Sequence, residues 1–258
     1  MSSKDMDQEL MAAAKAGDSA EVSELLLLGA NPRSRKSGAL QWAASNGHME
    51  CLRLLLPVSD AKADDSYALR LAAQSGYDQC VLLLLPVSDA KAGGSLALMV
   101  AAQNGHADCV RLLLDASDPK TMESYALRTA ANNGHVECAR LLLPVSDPKA
   151  LNCEALKLAA RHEHMECARM LLAASGPLCE VHGLLEELIQ AGSSKMAALL
   201  IEHEPRLIDG MDLSKCIALA IENDHADMAG FLSSVIEQRE LLGMASHRPA
   251  RSFGLSRL

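Results

Sequence analysis

Residues 71–91 read LAAQSGYDQCVLLLLPVSDAK, residues 100–120 read VAAQNGHADCVRLLLDASDPK, and residues 129–149 read TAANNGHVECARLLLPVSDPK. The three stretches are one phrase written at a fixed step, and Cys51, Cys80, Cys109, Cys138 and Cys167 mark that step as 29 residues. A period of about 20–50 residues marks an architecture in which each unit covers its neighbour's apolar face and none is stable alone. A chain of 258 residues built this way needs no single large core.

Within residues 66–94, Ser66 precedes an apolar pattern and reads as a helix N-cap. Ser37, Ser95 and Ser124 recur there, and Cys153 replaces them in the last regular copy. Ala68, Leu69, Ala72 and Ala73 then follow the rhythm of one helical face, and Gly76 ends this first helix, as Gly47, Gly105 and Gly134 do in other copies. Cys80, Val81, Leu83 and Leu84 form the inward face of a second helix of about two to three turns, closed by Pro86 and, in sister copies, by Pro57 and Pro144. The return loop, Val87 to Lys91, is polar. In successive copies it places Asp60 with Lys62, Asp89 with Lys91, Asp118 with Lys120 and Asp147 with Lys149. This ladder is expected to tune solubility and loop geometry, with contact to a partner as the alternative; each exposed pair is worth under about 1 kcal/mol.

Hydrophobic residues make up 49% of the chain and aromatics 2%, which is helix-packing and not sheet-forming composition. A net charge of -9 and a scarcity of stacking platforms exclude nucleic acid as the expected partner. The opening MSSKDMDQEL is polar, and no run approaches the roughly 18 apolar residues of a membrane span. A soluble, cytoplasmic protein without a secretion signal is expected. The five equivalent cysteines would lie about 8–10 Å apart on packed helices, too far to bridge, and read as small buried hydrophobes in a reducing compartment.

The segments NGHMECLRLLL, NGHADCVRLLL and NGHVECARLLL resemble the signature of the ankyrin repeat, and residues 16–32, AGDSAEVSELLLLGANP, look like its usual opening unit. The resemblance covers about residues 5 to 240. It implies an all-α solenoid of stacked helix-turn-helix repeats. The period is shorter than the 33 residues typical of ankyrin, and the deficit falls in the hairpin segment, so short loops are expected in place of β-hairpins. The family's TPLH histidine is replaced by Gln41, Arg70, Met99, Arg128 and Lys157, so its hydrogen bond must be lost or remade. The family's helix-ending glycine survives as Gly29, with Ser59, Ser88, Ser117 and Ser146 in its place, at a cost in left-handed tolerance. One repeat domain over 1–240 is expected, with units 5–33, 37–65, 66–94, 95–123, 124–152, 153–181, 182–210 and 211–240. The last two keep the two-helix rhythm but lose the Cys and Pro landmarks, and residues 241–258 read as a disordered tail.

His48, His106, His135 and His164 each precede a cysteine by three residues, but the resemblance assigns them to the turn, where they bond neighbouring loops. A metal site wants about four ligands and each unit offers two, so no metal and no cofactor are expected. His162-Glu163-His164 is not HExxH, and no phosphate loop, dinucleotide fingerprint or nucleophile elbow appears. No catalytic residue is assigned. An enzyme remains a remote alternative, resting on the unrepeated His182, His203, Glu186 and Glu187.

The resemblance points instead to a concave groove lined by the two positions after each Ala-Ala pair. These are Ser45 and Asn46, Gln74 and Ser75, Gln103 and Asn104, Asn132 and Asn133, Arg161 and His162. Their amides and hydroxyls suit an extended peptide backbone. Arg70, Arg128, Lys157 and Arg161 add positive charge on that side, which favours an acidic or extended segment of another protein. The function expected is a monomeric protein-protein interaction scaffold. The alternatives are a regulatory inhibitor or adaptor, an ankyrin effector of a pathogen or symbiont delivered into a host cytosol, and a structural spacer.

Overall fold

The computed structural model describes residues 3–175 and 182–246. Among them are sixteen α-helices and no strand. The chain divides into two compact units, Met1–Cys179 and Glu180–Leu258.

The N-terminal unit is a run of antiparallel helix pairs. Its first helices are α1 (Ser3–Ala16), α3 (Ser34–Ser45), α5 (Ala63–Ser75), α7 (Ala92–Gln103), α9 (Thr121–Asn132) and α11 (Ala150–Arg161). Its second helices are α2 (Ser19–Leu27), α4 (Met49–Leu55), α6 (Asp78–Leu84), α8 (Ala107–Leu113), α10 (Val136–Leu142) and α12 (Met165–Ser175). Each first helix packs on the next first helix, and each second helix on the next second helix, so the unit has two layers. The interior is where the layers meet: Leu40, Leu69, Leu98, Leu127 and Leu156 from one layer, and Leu55, Leu84, Leu113, Leu142 and Leu171 from the other, are all 0% exposed. Burying each contributes about 1.5–3 kcal/mol. Paired alanines, such as Ala72 and Ala73, are fully buried as well and keep the first-helix layer thin enough for close approach.

The turn inside each pair is built on contact between repeats. A Cβ placed on Gly105 would stand 2.6 Å from the His135 ring, and the same clearance separates Gly76 from His106 and Gly47 from Tyr77. The ring lies directly on the glycine of the preceding copy. Its Nε2 then bonds the carbonyl two residues before that glycine: His48 to Lys15, His106 to Gln74, His135 to Gln103 and His164 to Asn132, all at 3.0 Å. Because a carbonyl only accepts, Nε2 carries the proton. Tyr77 keeps the ring contact without this hydrogen bond.

The expected N-cap serines do something else. Arg35 to Ser37, Asp64 to Ser66, Met122 to Ser124 and Leu151 to Cys153 all have positive φ, as do Gly93, Gly94 and Ser95, so each regular copy begins with three residues of left-handed backbone. This turn replaces the hairpin. The serine at its end is buried, and its hydroxyl accepts from the backbone N–H of the following return loop: Asp60 to Ser37, Asp89 to Ser66, Asp118 to Ser95 and Asp147 to Ser124, at 2.8–2.9 Å. It joins two repeats and does not cap its own helix.

In that loop the aspartate side chain accepts from the backbone N–H of the lysine two residues on, at 2.9–3.0 Å. The acid shapes the loop. Asn31 bonds Arg33 N–H in the same way, which aligns Asn31 with Asp60 and hence Gly29 with Val58, not with Ser59. None of Ser59, Ser88, Ser117 and Ser146 has positive φ, so the expected loss of left-handed tolerance is not incurred.

The C-terminal unit holds α13 (His182–Gln190), α14 (Ser194–His203), α15 (Leu213–Glu222) and α16 (Ala226–Ser246). The turn device persists there although the Cys and Pro landmarks do not. Gly192 lies against the His225 ring, and His225 Nε2 bonds the Gln190 carbonyl at 3.1 Å. The tail expected over 241–258 begins inside α16, which runs to Ser246, while residues 247–258 lie outside the described residues.

Two substitutions test this account by urea unfolding. Gly105→Ala meets both the left-handed backbone and the His135 ring, and is expected to cost more than the roughly 1–2 kcal/mol of the backbone alone; Gly230→Ala, with nothing within 4 Å of the new carbon, should be neutral or stabilising. Ser95→Ala orphans the Asp118 N–H and should cost about 1–2 kcal/mol, with native helix content unchanged.

Candidate protein-binding face

The face of each first helix opposite the buried alanines carries positions i, i+3, i+4 and i+7. On α5 these are Tyr67, Arg70, Leu71 and Gln74, and on α9 they are Tyr125, Arg128, Thr129 and Asn132. All thirteen residues expected to line a groove lie on this face or at the helix ends beside it, within the N-terminal unit.

Several of them are already engaged. Asn46 and Asn104 each donate to the carbonyl four residues back in their own helix, Trp42 and Val100, at 2.8 Å. Asn133 donates to the Gln103 carbonyl of the preceding repeat, and Asn132 to the Asn133 side chain. The Asn46, Asn104 and Asn133 amides thus each spend a donor on a backbone carbonyl at a helix end. By contrast, the side chains of Ser45, Gln74, Ser75 and Gln103 make no hydrogen bond among the described residues, and Gln74, Ser75 and Gln103 are exposed. His162 stacks on His164 with ring centroids 6.1 Å apart.

The cations divide similarly. Arg128 donates from Nε to the Glu123 carbonyl and from Nη2 to the Met122 carbonyl, holding the left-handed turn below it, and its guanidinium lies 5.3 Å from the Tyr125 ring centre. Gln41 does the same for the Lys36 carbonyl at 2.8 Å. The hydrogen bond that the missing histidine would make is therefore remade at these two positions. Arg70 sits 4.4 Å over Tyr67, Lys15 sits 4.6 Å over Trp42, and Arg161 pairs with Glu154 at 3.6 Å. Each exposed cation–π contact is worth about 0.5–1 kcal/mol. At these four positions of α3, α5, α7, α9 and α11 the ionisable residues are Arg70, Arg128, Lys157 and Arg161 against Glu154 alone, so the face is positive on a chain of net charge -9.

Sequence reasoning overlooked the apolar members of the face: Tyr67, Leu71, Leu96, Val100 and Leu158 are half-buried, and Trp42 and Tyr125 are exposed. The signal was available in the register. Alanines, leucines and cysteines repeat, whereas Gly38, Tyr67, Leu96, Tyr125 and Glu154 share one position with four residue types, as do Trp42, Leu71, Val100, Thr129 and Leu158. The copies agree where they pack and diverge on this face.

The repeated thiols lie elsewhere. Cys51, Cys80, Cys109, Cys138 and Cys167 are free and buried. Burial pushes Cys80 and Cys138 up to about 11 and Cys109 to about 12, with nearby acids adding to it. Cys153, outside that series, is disulfide-bonded. No three His, Cys, Asp or Glu side chains converge as a metal site among the described residues, and the histidine rings turn to the preceding repeat. No described helix is long and apolar enough to cross a membrane.

Three copies of the ankyrin-repeat family model match the chain, over residues 10–93, 58–123 and 98–181. No curated protein matches it.

The thiols set an alkaline limit. Their folded pKa values are raised above the roughly 8.5 of an unfolded thiol, so the stability they contribute is complete below that pH and is lost as pH rises toward 11–12. Urea unfolding is expected to show a lower free energy at pH 10.5 than at pH 8, and Cys109→Ala should shrink the difference.

Proposed function

The chain belongs to the ankyrin-repeat family, whose repeats are in general protein-protein interaction modules, and from that premise we propose that the outward face of α3, α5, α7, α9 and α11 binds an acidic segment of another protein. The observation that carries this reading is charge segregation: four cations and one carboxylate on the variable face of a chain of net charge -9. Arg70 and Lys157 make no ion pair or hydrogen bond among the described residues, and Gln74, Ser75 and Gln103 stand ready as donors and acceptors beside them. Arginine recognises carboxylates by paired donors. Ser45, Asn46, Asn104, Asn132, Asn133, Arg128, Arg161 and His162 frame the same surface, Asn46, Asn104, Asn133 and Arg128 by fixing its backbone.

The action is binding without turnover, a scaffold role. Affinity on such a surface comes from preformed width and not from a deep pocket.

The triple substitution Arg70→Glu, Lys157→Glu and Arg161→Glu reverses three cations of the face and leaves Arg128, which braces its turn, in place. Pull-down from a lysate followed by mass spectrometry is expected to lose its partner, with circular dichroism unchanged. Retained capture by the triple variant overturns the assignment of this face.

A further inference from the structure

Two rows run along the same face. Trp42, Leu71, Val100 and Leu158 occupy one position of successive first helices, with Thr129 the polar exception, and form an apolar row. Arg70, Arg128 and Lys157 occupy the position one residue earlier and form a cationic row beside it, to which Arg161 adds one turn further on. Gln41 on α3 and Met99 on α7 interrupt the cationic row, and Met99 is buried. The first helices contact one another in strict order, so successive members of either row stand one or two repeats apart. The left-handed turns at the border carry charges of both signs, Arg35 and Lys36 against Asp64, Asp65 and Glu123, with Lys36 paired to Asp64 at 2.6 Å.

Packed helices lie about 8–10 Å apart, and an extended polyproline II chain rises about 3.1 Å per residue and turns once every three residues, so every third side chain returns to the same side. One repeat therefore spans about three residues of an extended ligand. We propose that the ligand of this face is an extended acidic peptide in which an apolar side chain recurs at every third residue, seated against the apolar row, with carboxylates between them meeting the cationic row. The inference rests on the reading of this face as the partner site and adds the pattern of the partner. An α-helical ligand advances about 1.5 Å per residue and turns its side chains through about 100°, so it would not keep pace with both rows. The glycine–ring contacts hold the repeats in register, which makes a fixed ligand period meaningful.

The probe is a pair of synthetic peptides of equal composition, (Leu-Glu-Ser)5 and an isomer with its five leucines at alternate positions, together with (Leu-Lys-Ser)5. Trp42 is the single tryptophan of the chain and stands in the apolar row, so its emission reports occupancy directly. The full chain is expected to bind (Leu-Glu-Ser)5 at least tenfold more tightly than the isomer, with a shift in Trp42 emission, and not to bind the lysine peptide. Arg70→Gln should weaken the first peptide and spare the fold, since Arg70 lies over the Tyr67 ring and makes no hydrogen bond or ion pair among the described residues. Equal affinity for the two acidic isomers overturns the period while leaving an acid-binding face. Failure of both, or preference for the lysine peptide, overturns the period and the reading beneath it.

Discussion

A ring laid on a glycine aligns successive repeats of the N-terminal unit from Gly17 to His164, and the two helix pairs of the C-terminal unit with each other. Where the turn after a first helix holds Gly17, Gly47, Gly76, Gly105, Gly134 or Gly192, it exposes a bare Cα, and the next copy's histidine or tyrosine fills the space so closely that no Cβ fits between them. Where the ring is histidine, its Nε2–H is also bound to a carbonyl of the same turn. Such a hydrogen bond contributes about 0.5–1.5 kcal/mol, against about 1.5–3 kcal/mol for each buried leucine, so the leucines supply most of the stability. The ring contact supplies register. Leucines of neighbouring copies meet only if the turns are in step, and a face that repeats evenly exists only for the same reason.

Shortening the repeat moves the strain to a new place. Three successive residues in left-handed backbone close each short loop, a conformation costing about 1–2 kcal/mol per residue with a Cβ. Gly93 and Gly94 escape that cost in one copy, and Asp64, Asp65 and Asn152 reduce it in others. The conformation is held from outside: a buried serine hydroxyl takes the N–H of the following loop, and Gln41 or Arg128 takes carbonyls of the turn itself. With no finger projecting past the first helices, the variable face is open along its length.

Helix boundaries, the turn glycines, the burial of the repeated cysteines and the bonding role of the histidines were legible because each rests on a short-range pattern repeated many times. The serines misled, since a serine before a helix has the same local appearance whether its hydroxyl serves its own helix or a loop 23 residues on. The asparagines misled for a related reason: Asn46 and Asn104 read as free donors, and both are bound to carbonyls one turn away. Trp42, Leu71 and Val100 were passed over because attention to what recurs hides what varies.

By itself the sequence determined the period, the helix pair, the alanine and leucine interior and the shortness of the loops, all consequences of spacing along one copy. Only the tertiary structure decided that Ser37, Ser66, Ser95 and Ser124 link copies, that Arg128 braces a turn, and that cations and apolar side chains form adjacent rows on one face. Those facts depend on distances between residues about one repeat apart. Local pattern does not contain such distances until the copies are stacked.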